Sequence, residues 1–274
     1  MAYKTLMVHL ALVQPNTELL RLAGDLAKRF DARIVGIAAC QPLQLAYGDG
    51  YTGGSAVAAC QDEFRAELRG AEAQFHEALK DSGAVLEWRS SFTTEALPYY
   101  LASEARCADL ILTGSTTSGA FDSSRHASIG DLVMQAGRPV VIVPEARTFN
   151  PSGHIVVAWK DTREARRAAT EALPLLALAE RVTVAEITDQ SSLPQAQGRV
   201  EDVAAWLALH QIKAVPLAVV SDKDDASQLD GLLAARHCDL VVAGAYGHNR
   251  LREWAFGGVT HNLLQGARLA MLSH

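Results

Sequence analysis

The sequence has few cysteines, and their spacing excludes the usual metal and redox motifs. The four are scattered, without a CxxC or CxH spacing, at Cys40, Cys60, Cys107 and Cys238. We expect small buried or half-buried thiols in a reducing compartment. The nine histidines also lack an HxxxH or HxH spacing, so we expect no metal site.

The chain also lacks a large charge excess and a long apolar run. Its formal net charge is −6, which gives no electrostatic reason to expect a nucleic acid or an anionic membrane as partner. No stretch approaches the roughly 20 apolar residues of a membrane span. The amino-terminal segment lacks a basic leader and a small-residue cleavage site. We therefore expect a cytoplasmic protein.

Motifs of nucleophilic enzymes are missing as well. The chain has no GxSxG elbow, which would present a serine nucleophile at a strand-to-helix turn. We expect no enzyme, and any ATP hydrolysis should be slow and incidental.

What the sequence does contain is an internal duplication. Residues 105–144 align with residues 235–274 at a constant offset of 130, without a gap. Residues 5–39 correspond to 154–188 at an offset of 149, so the first half carries about 19 extra residues between Gln41 and Cys60. With "TFNPSGH" as linker, we interpret the chain as two domains, 1–147 and 152–274.

Each half alternates short β-branched runs with segments of helical period. In the second half, the strands "IVVAW", "RVTVAEI", "AVPLAVV", "DLVVAG" and "LAML" are separated by predicted helices at 162–179, 193–211, 225–236 and 257–266. Such alternation is typical of parallel sheets covered by helices on both faces. The sequence predicts two tandem, mainly parallel five-stranded α/β sandwiches.

A glycine-rich stretch, "GAYGHNRLREWAFGGVT" (residues 244–260), follows one of these strands and precedes a helix. Ligands of open parallel sheets bind at such positions. Glycines let the backbone approach an anion, and N–H groups at a helix start can hold phosphate oxygens. The hydroxyl of Thr260 could add a donor. The spacing of Gly244, Gly247, Gly257 and Gly258 matches neither the GxGxxG nor the GxxxxGK[ST] motif.

This spacing, the stretch "WKDTREARRAATEALPLL" and the duplication resemble the tandem universal stress proteins, which carry two UspA-like domains. The resemblance covers nearly all 274 residues. It implies an adenine nucleotide alpha hydrolase-like fold, a role in stress response, and ATP, with Mg²⁺ if it is bound, as the cofactor. The family motif GxxGx9G[ST] points to Gly244, Gly247 and Gly257. Gly258 occupies the [ST] position, and Thr260 is its candidate substitute.

The resemblance also implies how the halves meet. The last strands, "VVIVP" and "LAML", should pair at the interface, which covers an apolar sheet edge. One chain would then imitate a dimer about a pseudo-two-fold axis. Association of two whole chains as a homodimer stays open, and the protein partners are unknown.

Two positions depart from the nucleotide-binding pattern. Lys160 and Ala11 stand where ATP-binding members carry an acidic residue at the end of the first strand. Asp161 comes one position later, which turns a side chain the other way on an extended strand. In the first half, Thr117 and Ala127 replace two motif glycines, so we expect a structural or partner-facing loop there.

Two functions of different class remain. In the first, a stress-response regulator binds ATP or another adenine nucleotide through residues of the second half, namely Gly244, Gly247, Gly257, Gly258, Thr260 and Lys160. In the second, the crevices are vestigial and the protein acts through protein–protein contacts. The first needs open space between Lys160 and Gly244, and the second predicts that Lys160, Trp254 or another side chain fills it.

Overall fold

The computed structural model describes residues 2–42, 54–115, 124–145, 150, 152–221, 224–246, 258–264 and 268–274, without the side chains of 54–58 and 261. Within these ranges, the first half contains five strands and four helices. In chain order they are β1 (Thr5–His9), α1 (Thr17–Phe30), β2 (Arg33–Cys40), α2 (Gly54–Leu79), β3 (Leu86–Phe92), α3 (Leu97–Glu104), β4 (Leu110–Gly114), α4 (Ile129–Ala136) and β5 (Val140–Val143). A 3-10 turn at Ala105–Cys107 precedes β4.

The second half repeats this order with one additional helix break. Its elements are β6 (His154–Trp159), α5 (Arg163–Glu171), α6 (Leu173–Leu176), β7 (Arg181–Thr188), α7 (Leu193–Leu209), β8 (Ala214–Val220), α8 (Asp225–Ala235), β9 (Leu240–Gly244), α9 (Gly258–Leu264) and β10 (Ala270–Ser273). The single helix predicted at 162–179 is divided into α5 and α6. Pro174 lies in the first turn of α6, because a proline has no N–H to continue the helix but is tolerated at a helix start.

The ten strands form one continuous sheet in the order β3-β2-β1-β4-β5-β10-β9-β6-β7-β8. Every pair is parallel except β5–β10, which is antiparallel, with Ala270 opposite Ile142. The predicted meeting of the last two strands is thus confirmed, and so is the fold class of two parallel five-stranded units. The boundaries 1–147 and 152–274 stay a prediction.

Helices cover both faces of the sheet, and a separate apolar cluster lies under each layer. The face called here the α1 face carries α1, α2, α5 and α7. The opposite face, called here the α4 face, carries α3, α4, α8 and α9. Period-two alternation along each strand divides its apolar side chains between the two clusters. No helix in the described ranges is long and apolar enough to cross a membrane.

The antiparallel joint determines where the crevices lie. The carboxyl ends of β1, β2 and β4 are at one end of the sheet, and those of β6, β7 and β9 are at the opposite end. Ligands of parallel sheets bind beyond these carboxyl ends. Each half therefore offers its own crevice, and the two crevices do not merge.

Candidate functional site

The carboxyl ends of β1 and β4 in the first half carry a buried polar pair. His9 and Thr113 are register partners, and His9 Nδ1 lies 3.0 Å from Thr113 Oγ1. Both side chains are buried. Burial lowers the pKa of His9 to about 4, and the nearby His126 adds to the shift. His9 is therefore a neutral core residue whose hydrogen bond is satisfied by Thr113.

An arginine of the segment before α4 reaches from this crevice to α2. The Arg125 guanidinium lies 4.3 Å above the Phe64 ring. It donates through Nε to Glu67 at 3.0 Å and through Nη2 to Glu63 at 3.0 Å. Just before it, the Ser124 carbonyl accepts a hydrogen bond from the Gln41 backbone at the end of β2, at 2.8 Å. The segment at Ser124 and Arg125 is therefore bonded both to the end of β2 and to α2.

The same positions in the second half carry only small side chains. Ala158 and Ala243 are register partners on β6 and β9, and by the two offsets they correspond to His9 and Thr113. Each replacement removes every side-chain atom beyond Cβ on the α4 face. On this face the second-half strands therefore lack the imidazole and the hydroxyl that the first-half strands carry.

On the α1 face, the second half is packed more closely than the first half at the matched glycines Gly244 and Gly114. A Cβ on Gly244 would lie 2.4 Å from the Ala165 nitrogen and 2.5 Å from the Glu164 carbonyl carbon, whereas a Cβ on Gly114 would meet no atom of the described residues within 4 Å. The first turn of α5 thus packs directly on Gly244, so this side of Gly244 does not offer the open space toward Lys160 that nucleotide binding was expected to need. Gly114 instead borders a cleft of about 340 Å³, whose lining includes Ala11, Asn16, Leu19, Gly114, Val143 and Pro144.

Loop length explains this difference. Only residues 160–162 join β6 to α5, whereas residues 10–16 join β1 to α1. Thr162 caps α5, since its Oγ1 accepts from the Ala165 N–H at 3.3 Å. Asn16 makes no such cap, because its side chain bonds both the N–H and the carbonyl of Ala11 at 3.1 Å. The longer connection holds the start of α1 away from Gly114.

Lys160 projects from the end of β6 toward α8. Its Nζ lies 3.7 Å from Asp225 Oδ2, and the two side chains are 57% and 53% exposed. Such an exposed, long ion pair contributes little to stability. The adjacent Asp161 is paired with Arg166 at 2.6 Å, so Lys160 and Asp161 do not pair with each other. Lys160 therefore borders the crevice with its ammonium accessible.

Gly258 begins α9 beside the same first turn of α8. It is exposed, and among the described residues a Cβ there would meet only the Ala226 Cβ, at an ordinary contact distance of 3.6 Å. Lys160 and Gly258 thus both lie against the start of α8. Thr260 is buried. The predicted site residues Gly247 and Gly257 lie outside the described residues.

Sequence reasoning named Lys160 and the glycines but missed Ala158, Ala243 and Asp225. The signal for the alanines was present, because the 149 and 130 offsets align them with His9 and Thr113. Asp225 gave no such signal, since only the fold brings it to Lys160.

Metal-ligand groups and cysteine thiols are the remaining reactive groups to consider. Among the described residues, no group of three or more His, Cys, Asp or Glu is placed to hold a metal ion. Burial raises the pKa of the Cys40 and Cys238 thiols to about 11. Both thiols are therefore protonated at neutral pH and are poor nucleophiles.

Comparison with known proteins identifies the fold. No family model matches the sequence, and no curated protein is detectably similar to it. A universal stress protein from Archaeoglobus fulgidus DSM 4304 is 11% identical, covers 98% of this chain and 95% of its own, and has a TM-score of 0.75. A protein from Pseudomonas aeruginosa UCBPP-PA14, described as a candidate universal stress protein, is 14% identical over 99% and 93% of the chains, with a TM-score of 0.64.

A shorter universal stress protein, from Archaeoglobus fulgidus in complex with dAMP, is 19% identical over 52% of this chain and 98% of its own. Its TM-score of 0.34 is too low to establish a likeness. At the identities of the two full-length matches, the likeness establishes the fold. The resemblance inferred from the duplication and the glycine motif is thus confirmed: the chain has the tandem universal stress protein fold.

Proposed function

We propose, from the tandem universal stress protein fold of this chain, that it is a cytoplasmic stress-response protein that binds ATP or another adenine nucleotide in its second half. It acts by binding rather than by catalytic turnover. The observation that carries the proposal is the replacement of the His9–Thr113 pair by Ala158 and Ala243 at matching register positions. A flat, largely apolar base needs such room between strand ends and helices.

The phosphate end of the proposed site is formed by Lys160 and the start of α9. The Lys160 ammonium has an exposed, long contact with Asp225, and phosphate oxygens would be stronger partners for it. Gly258, the first residue of α9, is exposed. Where Mg²⁺ accompanies the nucleotide, Asp225 is the carboxylate nearest to Lys160 that could hold it, since Mg²⁺ in such sites uses one or two carboxylates and the phosphates.

The first half is proposed to bind no nucleotide. His9, Thr113 and the Arg125 segment occupy the corresponding space, and their polar groups are hydrogen-bonded there. Opening that crevice would leave buried polar groups without partners. The first half is proposed to serve as a structural or partner-binding unit instead.

Isothermal titration with ATP, with and without Mg²⁺, tests the proposal. Lys160→Ala should weaken binding about tenfold, on the order of 1.4 kcal/mol, through the loss of a charged phosphate contact. Lys213→Ala is the matched control, because it removes the same charge from an exposed lysine at the opposite end of the same half. It should leave the affinity unchanged.

Two further variants probe the ends of the site separately. Ala158→His, which transfers the first-half imidazole into the second half, should abolish binding. Gly258→Ser restores the hydroxyl of the family motif where the structure has room for a side chain, and it should strengthen binding. If the wild-type chain gives no heat and carries no nucleotide on purification, the second function, protein–protein contact with vestigial crevices, replaces this one.

A further inference from the structure

Two cysteines stand on either side of the segment that distinguishes the first half from the second. Cys40 is the last residue of β2, and Cys60 lies in the second turn of α2. Between them is the segment of about 19 residues that the second half lacks. The second half has a single cysteine, Cys238, which precedes β9. A pair of thiols within one half is therefore possible only in the first.

The packing of α2 on the sheet brings Cys60 to the end of β2. Cys40 is the register partner of Phe92 on β3, and the Phe92 ring meets the Phe64 ring of α2 edge-to-face, with 5.9 Å between the ring centroids. Cys60 precedes Phe64 by four residues, so it lies on the same side of α2, one turn closer to the helix start. Because α2 connects two parallel strands, this start lies at the carboxyl end of β2. Both cysteines pack in the apolar cluster of the α1 face.

The electrostatic surroundings of Cys40 indicate the same proximity. Burial raises the pKa of the Cys40 thiol to about 11, and the Glu67 carboxylate adds to this shift. The Arg125 guanidinium opposes the shift, and the Cys60 thiol adds to it. Because a Coulomb interaction weakens with distance, Cys60 is a neighbour of Cys40, together with the ion pair between Arg125 and Glu67.

The two thiols differ in their access to solvent, and the difference sets the order in which they react. Cys40 is fully buried, so a dissolved oxidant does not reach its sulfur. Cys60 is only half-buried. Oxidation of a cysteine by a peroxide requires an accessible sulfur. Cys60 is therefore the thiol that meets the oxidant, and Cys40 is the thiol that resolves the oxidised product.

We propose that Cys40 and Cys60 form a reversible disulfide when the chain meets hydrogen peroxide. In the first step, the Cys60 thiolate attacks one peroxide oxygen, the O–O bond breaks, and the sulfur is oxidised to a sulfenic acid while hydroxide leaves. In the second step, the Cys40 sulfur attacks the Cys60 sulfur, an S–S bond forms, and a second hydroxide leaves. The two thiol protons convert both hydroxides to water. A thiol reductant reverses the change by exchange.

Such a disulfide would act on the mouth of the first-half crevice. It would join the end of β2 to the start of α2, the two elements that the segment at Ser124 and Arg125 also connects. In a reducing compartment, disulfides are usually transient and serve redox sensing. The proposal does not depend on nucleotide binding, which is placed in the second half.

Peptide mapping without reduction tests the disulfide on the unaltered chain, so this readout does not depend on how a variant folds. After treatment with hydrogen peroxide, the chain should lose two of its four thiols, and one pair of linked peptides should join Cys40 to Cys60. Dithiothreitol should restore all of the thiols. Loss of thiols without this linked pair would overturn the proposal, and so would a linkage through Cys107 alone.

Three serine variants separate the roles of the thiols. Cys60→Ser should leave Cys40 reduced under the same treatment. Cys40→Ser should leave Cys60 as a sulfenic acid, which dimedone labels, whereas the wild-type chain should lose this label as the disulfide forms. Cys107→Ser is the matched control, because it removes an exposed thiol from the same half, and it should form the disulfide like the wild type. Equal dimedone labelling of the wild type and Cys40→Ser would contradict the resolving role of Cys40.

Discussion

The two halves of this chain share strand order and register, yet different residues line the two faces of their crevices. On the α4 face, the first half is filled by His9 and Thr113 whereas the second half has Ala158 and Ala243. On the α1 face, the second half brings α5 onto Gly244 whereas the first half leaves a cleft beside Gly114. The duplicated sheet is therefore conserved as a scaffold, and the halves differ at the carboxyl ends of their strands.

The largest expected effect is a difference in stability between alanine substitutions of the two matched glycines, Gly244 and Gly114. Gly244→Ala should lower the free energy of unfolding by about 3 kcal/mol or more, because its Cβ would overlap backbone atoms of α5 that cannot move independently. Gly114→Ala, whose Cβ meets nothing within 4 Å in the part of the chain that the structure describes, should change it by no more than about 0.5 kcal/mol. Urea denaturation of both variants measures the difference. Equal losses would contradict the packing of α5 on Gly244.

Acid should lower the stability of the folded chain through the buried His9 imidazole of the first half. The pKa of His9 is about 4 in the folded chain, against 6.5 for an ordinary histidine, so the unfolded chain binds the proton first. Stability should therefore fall as the pH decreases from about 6.5 to about 4, by at most about 3 kcal/mol from this group.

The control for the acid effect gives the first half the residues of the second. The double variant His9→Ala with Thr113→Ala should show a smaller loss of stability over the same pH interval, measured by denaturant unfolding at each pH. Its stability at neutral pH is a separate quantity and does not enter the comparison. An unchanged pH slope would show that carboxylates alone govern the acid response.

The smallest expected effect concerns the Arg125 contact with α2. Glu67→Gln keeps the shape of the side chain but removes the charge that faces Arg125 at 3.0 Å. Because both side chains are mostly buried, at 17% and 13% exposure, we expect a loss of about 1 to 2 kcal/mol. Glu77→Gln, on the exposed side of α2, should cost less than about 0.5 kcal/mol by the same denaturation assay.

Much of the fold follows from patterns that are local in the sequence. The apolar runs predict β6 to β10 closely. The repeat predicts that "VVIVP" and "LAML" are equivalent last strands of the two halves. The break between α5 and α6 was missed although Pro174 marks it, because the apolar period continues through "EALPLLAL". Local patterns describe strands and helices well but describe their junctions less well.

The site was less predictable because its contacts join residues that are distant in the sequence. Lys160 was identified from its place at a strand end, but its partner Asp225 belongs to a helix that begins two strands later. The contact of Arg125 with Glu63 and Glu67 also depends on how the longer α2 lies over the sheet. The closing of Gly244 by α5 follows from a short connection whose effect is visible only in three dimensions.

The most direct test of the contrast between the halves is the stoichiometry of ATP binding to the wild-type chain, measured by isothermal titration. The account predicts one nucleotide per chain, bound where Ala158 and Ala243 leave room. Two nucleotides per chain would show that His9 and Arg125 do not close the first crevice. No binding would show that the room beside Ala158 is not a nucleotide site.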